Sequence, residues 1–278
     1  MKHVRKQLDH AVTHLFLIIT CISINFPLFW MISSSFKTSR ESIQFPPSFL
    51  PEKLSFGNYI HTWSNMNFSR YFFNTVYVSF LAVLIAMSVG TIAGYAFSRF
   101  RIRAKRYILV FILFFRMLPP ILFIIPLFFI LQRLGLYNRL EGVILSVTTL
   151  ALPFAVWMMK NYINTIPQEI DDAAMIDGCS RFTAFYRIIL PLSKPGIVAT
   201  SVFCLLTAWN EFMFANILIH SESRRTLVVA LYSYLGDFNI EWNMLMAAST
   251  MTMIPVIVFF GIIHKKLTEG FAGSSITG

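Results

Sequence analysis

Four acids crowd one short stretch of this chain: Glu169, Asp171, Asp172 and Asp177. Glu169, Asp171 and Asp172 suit the positive N-terminal end of a helix whose first turn Pro167 suits, and Asp177 falls at its far end beside Gly178. A carboxylate placed there can offer a charge-assisted hydrogen bond to a basic group on another surface. Two more ionisable residues, Arg116 and Glu211, stand inside otherwise apolar runs, and Trp209 and Asn210 adjoin the second. Such groups are costly in a membrane and point to function or to bundle-holding contacts. An indole beside polar groups can hold a sugar ring and so line a translocation path. Arg116 and Glu211 can equally form an ion pair or interhelical hydrogen bonds, and both readings stay open. His10 and His14 lie four apart without a third ligand nearby, so no metal is expected. No nucleophile–base set and no facing carboxylates occur, so no membrane-embedded enzyme is expected. Cys21, Cys179 and Cys204 give neither a disulfide framework nor a zinc spacing.

Membrane helices must position these residues. Of 278 residues, 56% are hydrophobic, 29 are Phe and only 13% are charged, against about 25% charged in a soluble domain. The mean hydropathy is +0.65. That excludes a water-soluble fold and a disordered chain alike, and the sequence reads as an all-α integral membrane protein. Six stretches approach the roughly 20 apolar residues needed to cross a bilayer. They are Val12–Ile32, Phe72–Phe97, Tyr107–Leu131, Gly142–Met159, Gly196–Ile219 and Met244–Ile263. The first resembles a signal peptide at its basic start, yet its apolar run is long and Ser33-Ser34-Ser35 is a poor cleavage site. It is read as a retained span.

Counting basic residues between spans places fourteen on the side of both termini and eight on the other. The dense run Arg99–Arg106 dominates, so both ends are expected in the cytoplasm. The net charge of +10 therefore needs no nucleic acid. The expected division is a cytoplasmic N-terminus over 1–11, a six-helix domain over 12–266 and a cytoplasmic tail over 267–278. An external cap is expected over 33–71, with a short helix at Asn58–Asn65, and a long cytoplasmic loop over 161–195. Pro119-Pro120 and Pro126 should kink the third span, as a gate or as a static bend. Ala86, Gly90 and Gly94 form a small-residue stripe suited to close helix packing. By helical rise Arg116 lies roughly 14 Å and Glu211 roughly 22 Å from the cytoplasmic ends of their spans, within an arginine's reach of each other if the helices are neighbours.

The long loop reads as helix, Gly178, helix. The second arm, Ser180–Leu190, carries an apolar stripe of Phe182, Phe185, Ile188 and Ile189, and Pro191 is expected to end it. Asp172-Ala173-Ala174, three residues, Gly178, nine residues, Ile188, one residue and Leu190-Pro191 match the spacing E-A-A-x3-G-x9-I-x-L-P. This resembles the EAA loop of ABC-transporter permease subunits, with Asp172 where Glu is usual. The resemblance implies a type I importer permease fold (MetI-like), and an elbow seated in a cleft of a separate ATPase subunit. Asp172 would supply the charged contact there, with Ala173, Ala174 and Gly178 permitting close docking and Asp177 bracing the elbow. No G-x-x-x-x-G-K-[ST] occurs, so ATP and Mg would be held by the partner ATPase and the chain itself would carry no cofactor.

Further motifs are similar to one subgroup, the MalG-like permeases of carbohydrate importers. They are Asn58-Tyr59, Asn74-Thr75, Trp209-Asn210-Glu211-Phe212, Arg225-Thr226-Leu227, Met246-Ala247-Ala248-Ser249 and the tail Leu267–Gly273, with Thr277 where a Lys is common. That likeness implies a second, MalF-like permease, two ATPase subunits and an external solute-binding protein as partners within the lipid bilayer. The rivals are a permease for glycerol phosphate, polyamine or another solute, and an ion-coupled secondary transporter. The latter is disfavoured by a lone intramembrane acid and the lack of repeats.

Overall fold

The structure of the chain, a computed structural model, describes residues 2–235 and 240–272, with side chains for 10, 12–64, 66–235 and 240–261. Thr277 lies outside the described residues. Among those described, the fold is helical without strands, as expected where lipid offers the backbone no hydrogen-bond partners. Four helices are long and apolar enough to cross a membrane, and two bent helix pairs bring the number to six if each counts as one span.

The chain forms two compact units, residues 1–68 with 231–254, and residues 69–230 with 255–278. In the first, α1 (Lys2–Ser35) supplies a span over Val12–Ser35, none of whose most apolar window is buried within the chain. The cap follows as α2 (Ser39–Ile43) and α3 (Gly57–Asn65). Thr38 and Glu41 cap α2 reciprocally, and the Glu41 carboxylate also accepts from the Glu52 amide at 2.9 Å. These backbone amides, at Thr38 first and then at Glu52, hold the Glu41 carboxyl below its usual range. Buried Lys37 donates to the Ser48 carbonyl at 2.5 Å and lies 4.4 Å over the Trp30 ring. Asn58, on α3, donates to the Ser35 and Lys37 carbonyls, both at 2.8 Å, and accepts from Asn243 at 2.9 Å.

In the second unit α4 (Phe68–Arg99) packs on α7 (Leu140–Asn164) through the small-residue stripe. A Cβ at Gly90 would lie 2.7 Å from the Ala155 Cβ, and one at Gly94 would lie 2.8 Å from the Met159 Cβ. Only glycine allows that approach. The third span is two helices, α5 (Lys105–Met117) and α6 (Ile121–Arg133), bent by 100° at Leu118-Pro119-Pro120. Pro126, expected to kink it as well, sits inside α6. The loop helices are α8 (Glu169–Ile176) and α9 (Arg181–Leu192), and α10 (Lys194–Trp209) leaves α9 at 72°.

Two expectations fail here. Pro191 does not end the second arm, because a π turn over Phe185–Ile189 precedes it. The Leu190 amide bonds five residues back to Phe185, and this widening lets the helix pass a residue that lacks a donor and crowds the preceding turn. The fifth span is not one helix either: α10 stops at Trp209, and α11 (Met213–Leu218) starts afresh after Asn210, Glu211 and Phe212. The last helices are α12 (Leu227–Tyr234) and α13 (Trp242–Ala272).

Candidate functional site

The loop between α7 and α10 is built as an elbow. Acids at Glu169, Asp171 and Asp172 occupy the first turn of α8, where the helix dipole favours them. At its other end Gly178 adopts φ +84°. Its amide bonds to the Met175 carbonyl, and the Cys179 amide to that of Ala174, at 3.1 and 3.0 Å. This is the Schellman arrangement, whose left-handed residue glycine occupies without strain. Ser180 then accepts from the Thr183 amide at 3.2 Å and starts α9.

Two faces of α8 part company. On the inner one Asp171, which motif spacing passed over, is buried and accepts from Arg99 Nε at 2.8 Å and from the Tyr95 hydroxyl at 3.0 Å. Arg99 also donates to the Ile166 carbonyl at 2.9 Å. The paired side chains are only 6% and 5% exposed. Phe185 of α9 stacks on Tyr95 with ring centroids 4.7 Å apart, so α4 grips both arms of the elbow. The outer face presents Asp172, Ala173, Ile176 and Asp177, all exposed, continued on α9 by Phe182 and Tyr186.

The expected motif residues divide accordingly. Asp172, Ala173, Asp177, Gly178 and Pro191 are exposed, while Ile188 and Leu190 are half-buried. Ala174 is 4% exposed and packs inward, so of the two alanines only Ala173 is open to a docking partner. The Asp171–Asp172 doublet was the available signal for the inner contact. Consecutive helical positions lie about 100° apart, so adjacent acids point to different faces.

The four residues considered for a translocation path are not gathered together. Arg116, at the end of α5, donates to the Leu150 carbonyl at 3.1 Å and stacks 5.7 Å from the Phe154 ring. It borders a cavity of about 210 Å3 inside the 100° bend, walled by Phe115, Pro120, Phe123, Pro153 and Phe214. Glu211 does not meet it. Its buried carboxylate accepts from the Phe214 and Ala215 amides at 2.7 and 3.0 Å, closing the first turn of α11 as a cap. A depth count along an unbroken helix could not anticipate this, because α10 had already ended. Trp209 is 3% exposed with Phe72 edge-on at 6.1 Å, and Asn210 is exposed and donates to the Leu206 carbonyl.

Two of the motifs quoted from sequence do come together. Asn74 donates to the Ser223 and Arg225 carbonyls at 3.1 and 2.9 Å, and Thr75 Oγ1 accepts from the Leu227 amide at 2.8 Å. The turn before α12 is thereby tied to the start of α4.

Comparison with known proteins agrees with the fold. The chain is 35% identical over 266 residues to the inner membrane ABC transporter permease protein YcjP of Escherichia coli (strain K12), covering 95% of this chain and 94% of the relative. It is 31% identical over 259 residues to the diacetylchitobiose uptake system permease protein NgcG of Streptomyces coelicolor (strain ATCC BAA-471 / A3(2) / M145), covering 92% and 85%. A solved structure, a bacterial ABC transporter involved in the import of the acidic polysaccharide alginate, matches with a TM-score of 0.82 at 23% identity, covering 93% of this chain and 96% of that one. Residues 86–272 match the family model described as binding-protein-dependent transport system inner membrane component. With the elbow inside the matched region, the chain belongs to that family of multi-pass inner-membrane transport components.

Proposed function

We propose that the chain is one permease subunit of a bacterial ABC importer for a carbohydrate. The observation that carries this is the elbow, whose inner face is pinned to α4 by Arg99–Asp171 while its outer face, Asp172, Ala173, Ile176 and Asp177, is left open. Such a shape suits a lever: an outside surface pushes on the open face, and the pinned face passes the push to a span. The chain is no enzyme, as is the rule in its family, and a separate ATPase pair binds ATP and Mg on its behalf. Asp172 offers that ATPase a charge-assisted hydrogen bond, with Ala173 beside it allowing close approach. The elbow then lies in the cytoplasm with both termini, in keeping with the basic residues of Arg99–Arg106.

A second, MalF-like permease completes the pathway, and an external binding protein delivers the solute to the cap and outer loops. The carbohydrate assignment is supported by the relative named for diacetylchitobiose uptake and by the subgroup motifs around Trp209 and Arg225. Within this chain, the cavity at Arg116 is the best candidate for a solute contact. Glu211 is occupied as a cap and Trp209 is buried.

The test is reconstitution of the complex in proteoliposomes with ATP inside and loaded binding proteins outside. Sugar-dependent ATP hydrolysis and uptake are expected, and Asp172→Lys should abolish both without changing expression. Full uptake with Asp172→Lys, or stimulation by polyamine but no sugar, overturns the reading.

A further inference from the structure

An open groove of about 390 Å3 lies between the start of α5 and the end of α7, and it shares no lining residue with the kink cavity. Its polar end holds three cations, Lys105, Arg106 and Lys160. No carboxylate occurs among its described lining residues, and the first turn of α5 contains no acid. Among the described residues, the Lys160 ammonium has only the neutral Asn161 amide oxygen, at 3.3 Å, as a hydrogen-bond acceptor. Three like charges lining one groove repel one another, and an anion among them relieves that repulsion.

Further along α5 the lining turns apolar, at Leu109, Val110 and Leu113. Leu113 lies eight residues past Lys105, roughly 12 Å deeper at the helical rise. Trp157 forms the remaining wall, with part of its indole exposed, as is common for tryptophan at the edge of a bilayer. A positive rim passing within one or two helical turns into an aliphatic trough matches the layout of a phospholipid. It does not match a soluble anion, which has no use for the trough.

We propose that this groove binds an anionic phospholipid. Lys105, Arg106 and Lys160 hold its phosphate, and one acyl chain lies along Leu109, Val110 and Leu113 beside Trp157. The site requires only that the chain is in a membrane, so it stands or falls separately from the transported solute.

The experiment is native mass spectrometry of the chain purified with its accompanying subunits and exchanged into detergent carrying defined phosphatidylglycerol or phosphatidylcholine. Wild type should retain one more phosphatidylglycerol than the triple variant Lys105→Gln/Arg106→Gln/Lys160→Gln. With each cation contributing about fivefold, retention should fall on the order of a hundredfold. The charge-keeping variant Lys105→Arg/Lys160→Arg should bind as wild type does, which separates charge loss from misfolding. Glycerol phosphate at equal concentration should not displace the lipid. Equal retention by wild type and the triple variant, equal retention of phosphatidylcholine, or displacement by glycerol phosphate each overturns the proposal. Loss of an accompanying subunit from the triple variant, with lipid retention unchanged, also overturns it and assigns the cations to an acidic protein face.

Discussion

Replacing Asp171 with Ala leaves Arg99 charged and buried, with only the Ile166 carbonyl and the Ser98 hydroxyl as remaining acceptors. Removing one partner of a buried ion pair costs about 3–5 kcal/mol, because the survivor's desolvation is no longer offset. If that cost falls on the elbow, its local opening becomes at least a hundredfold more frequent, at about 1.4 kcal/mol per decade. Arg99→Met should cost a similar amount. The double variant should not cost the sum, since replacing both charges by apolar groups is near neutral. Hydrogen exchange over residues 165–192 of the purified complex reads the opening in each variant. The expected interaction energy is at least 2 kcal/mol in the cycle. In parallel, the single variants should hydrolyse ATP while transporting poorly, because the elbow is pushed without drawing α4 along. Additive effects within about 0.5 kcal/mol would refute the argument that the pair acts as a unit. So would single variants that keep the wild-type ratio of solute moved to ATP consumed.

Other consequences can be checked on the same material. Gly178→Ala should destabilise α8 by about 1–2 kcal/mol through its positive φ alone, since nothing lies within 4 Å of the new Cβ. Faster exchange at the amides of positions 178 and 179 would report it, with Gly178→Asn milder. Gly94→Val should separate α4 from α7 and lower the melting temperature in detergent by more than Gly261→Val does, because Gly261 has open space around it. Overpacking of this kind costs about 1–3 kcal/mol or more. In the cap, the depressed Glu41 carboxyl contributes stability that is complete above the ordinary carboxylate range. It is lost as pH falls through the lowered folded value. Acid titration followed by exchange at the Glu52 amide should therefore show a step that Glu41→Gln removes.

The spans and the elbow were legible because each rests on local pattern. Apolar length marks a span, and Gly178 between two helical periods marks a turn that needs a positive φ. What escaped depends on distant partners. Motif spacing selects Asp172, but burial of Asp171 is decided by Arg99 and Tyr95, more than seventy positions away. Hydropathy carries the fifth span straight through Asn210-Glu211-Phe212, yet those residues stop one helix and cap the next. An acid in an apolar run can pair with a cation or with free amides, and sequence does not say which. Pro119-Pro120 located the break in the third span, but a proline dipeptide says only that the ladder is interrupted. The angle of 100° is not written in the dipeptide. At Pro191 the local rule failed, because a π turn absorbed the residue that should have ended the helix.

The sharp bend has a consequence for the surrounding lipid. α5 and α6 contain 13 residues each, roughly 20 Å of helix apiece, and at a bend of 100° the two together reach only about 25 Å end to end. That is a few Å short of a hydrocarbon layer about 30 Å thick, and shorter still wherever the pair is tilted. A bilayer that meets this short face thins beside it, unless another polypeptide makes up the missing depth. Thinning is an elastic deformation, costing fractions of a kcal/mol per Å of mismatch. Covering the short face with protein relieves it, so the membrane itself would push this subunit towards assembly. That pressure should grow in thicker bilayers and vanish in thin ones, before any specific contact between subunits is formed.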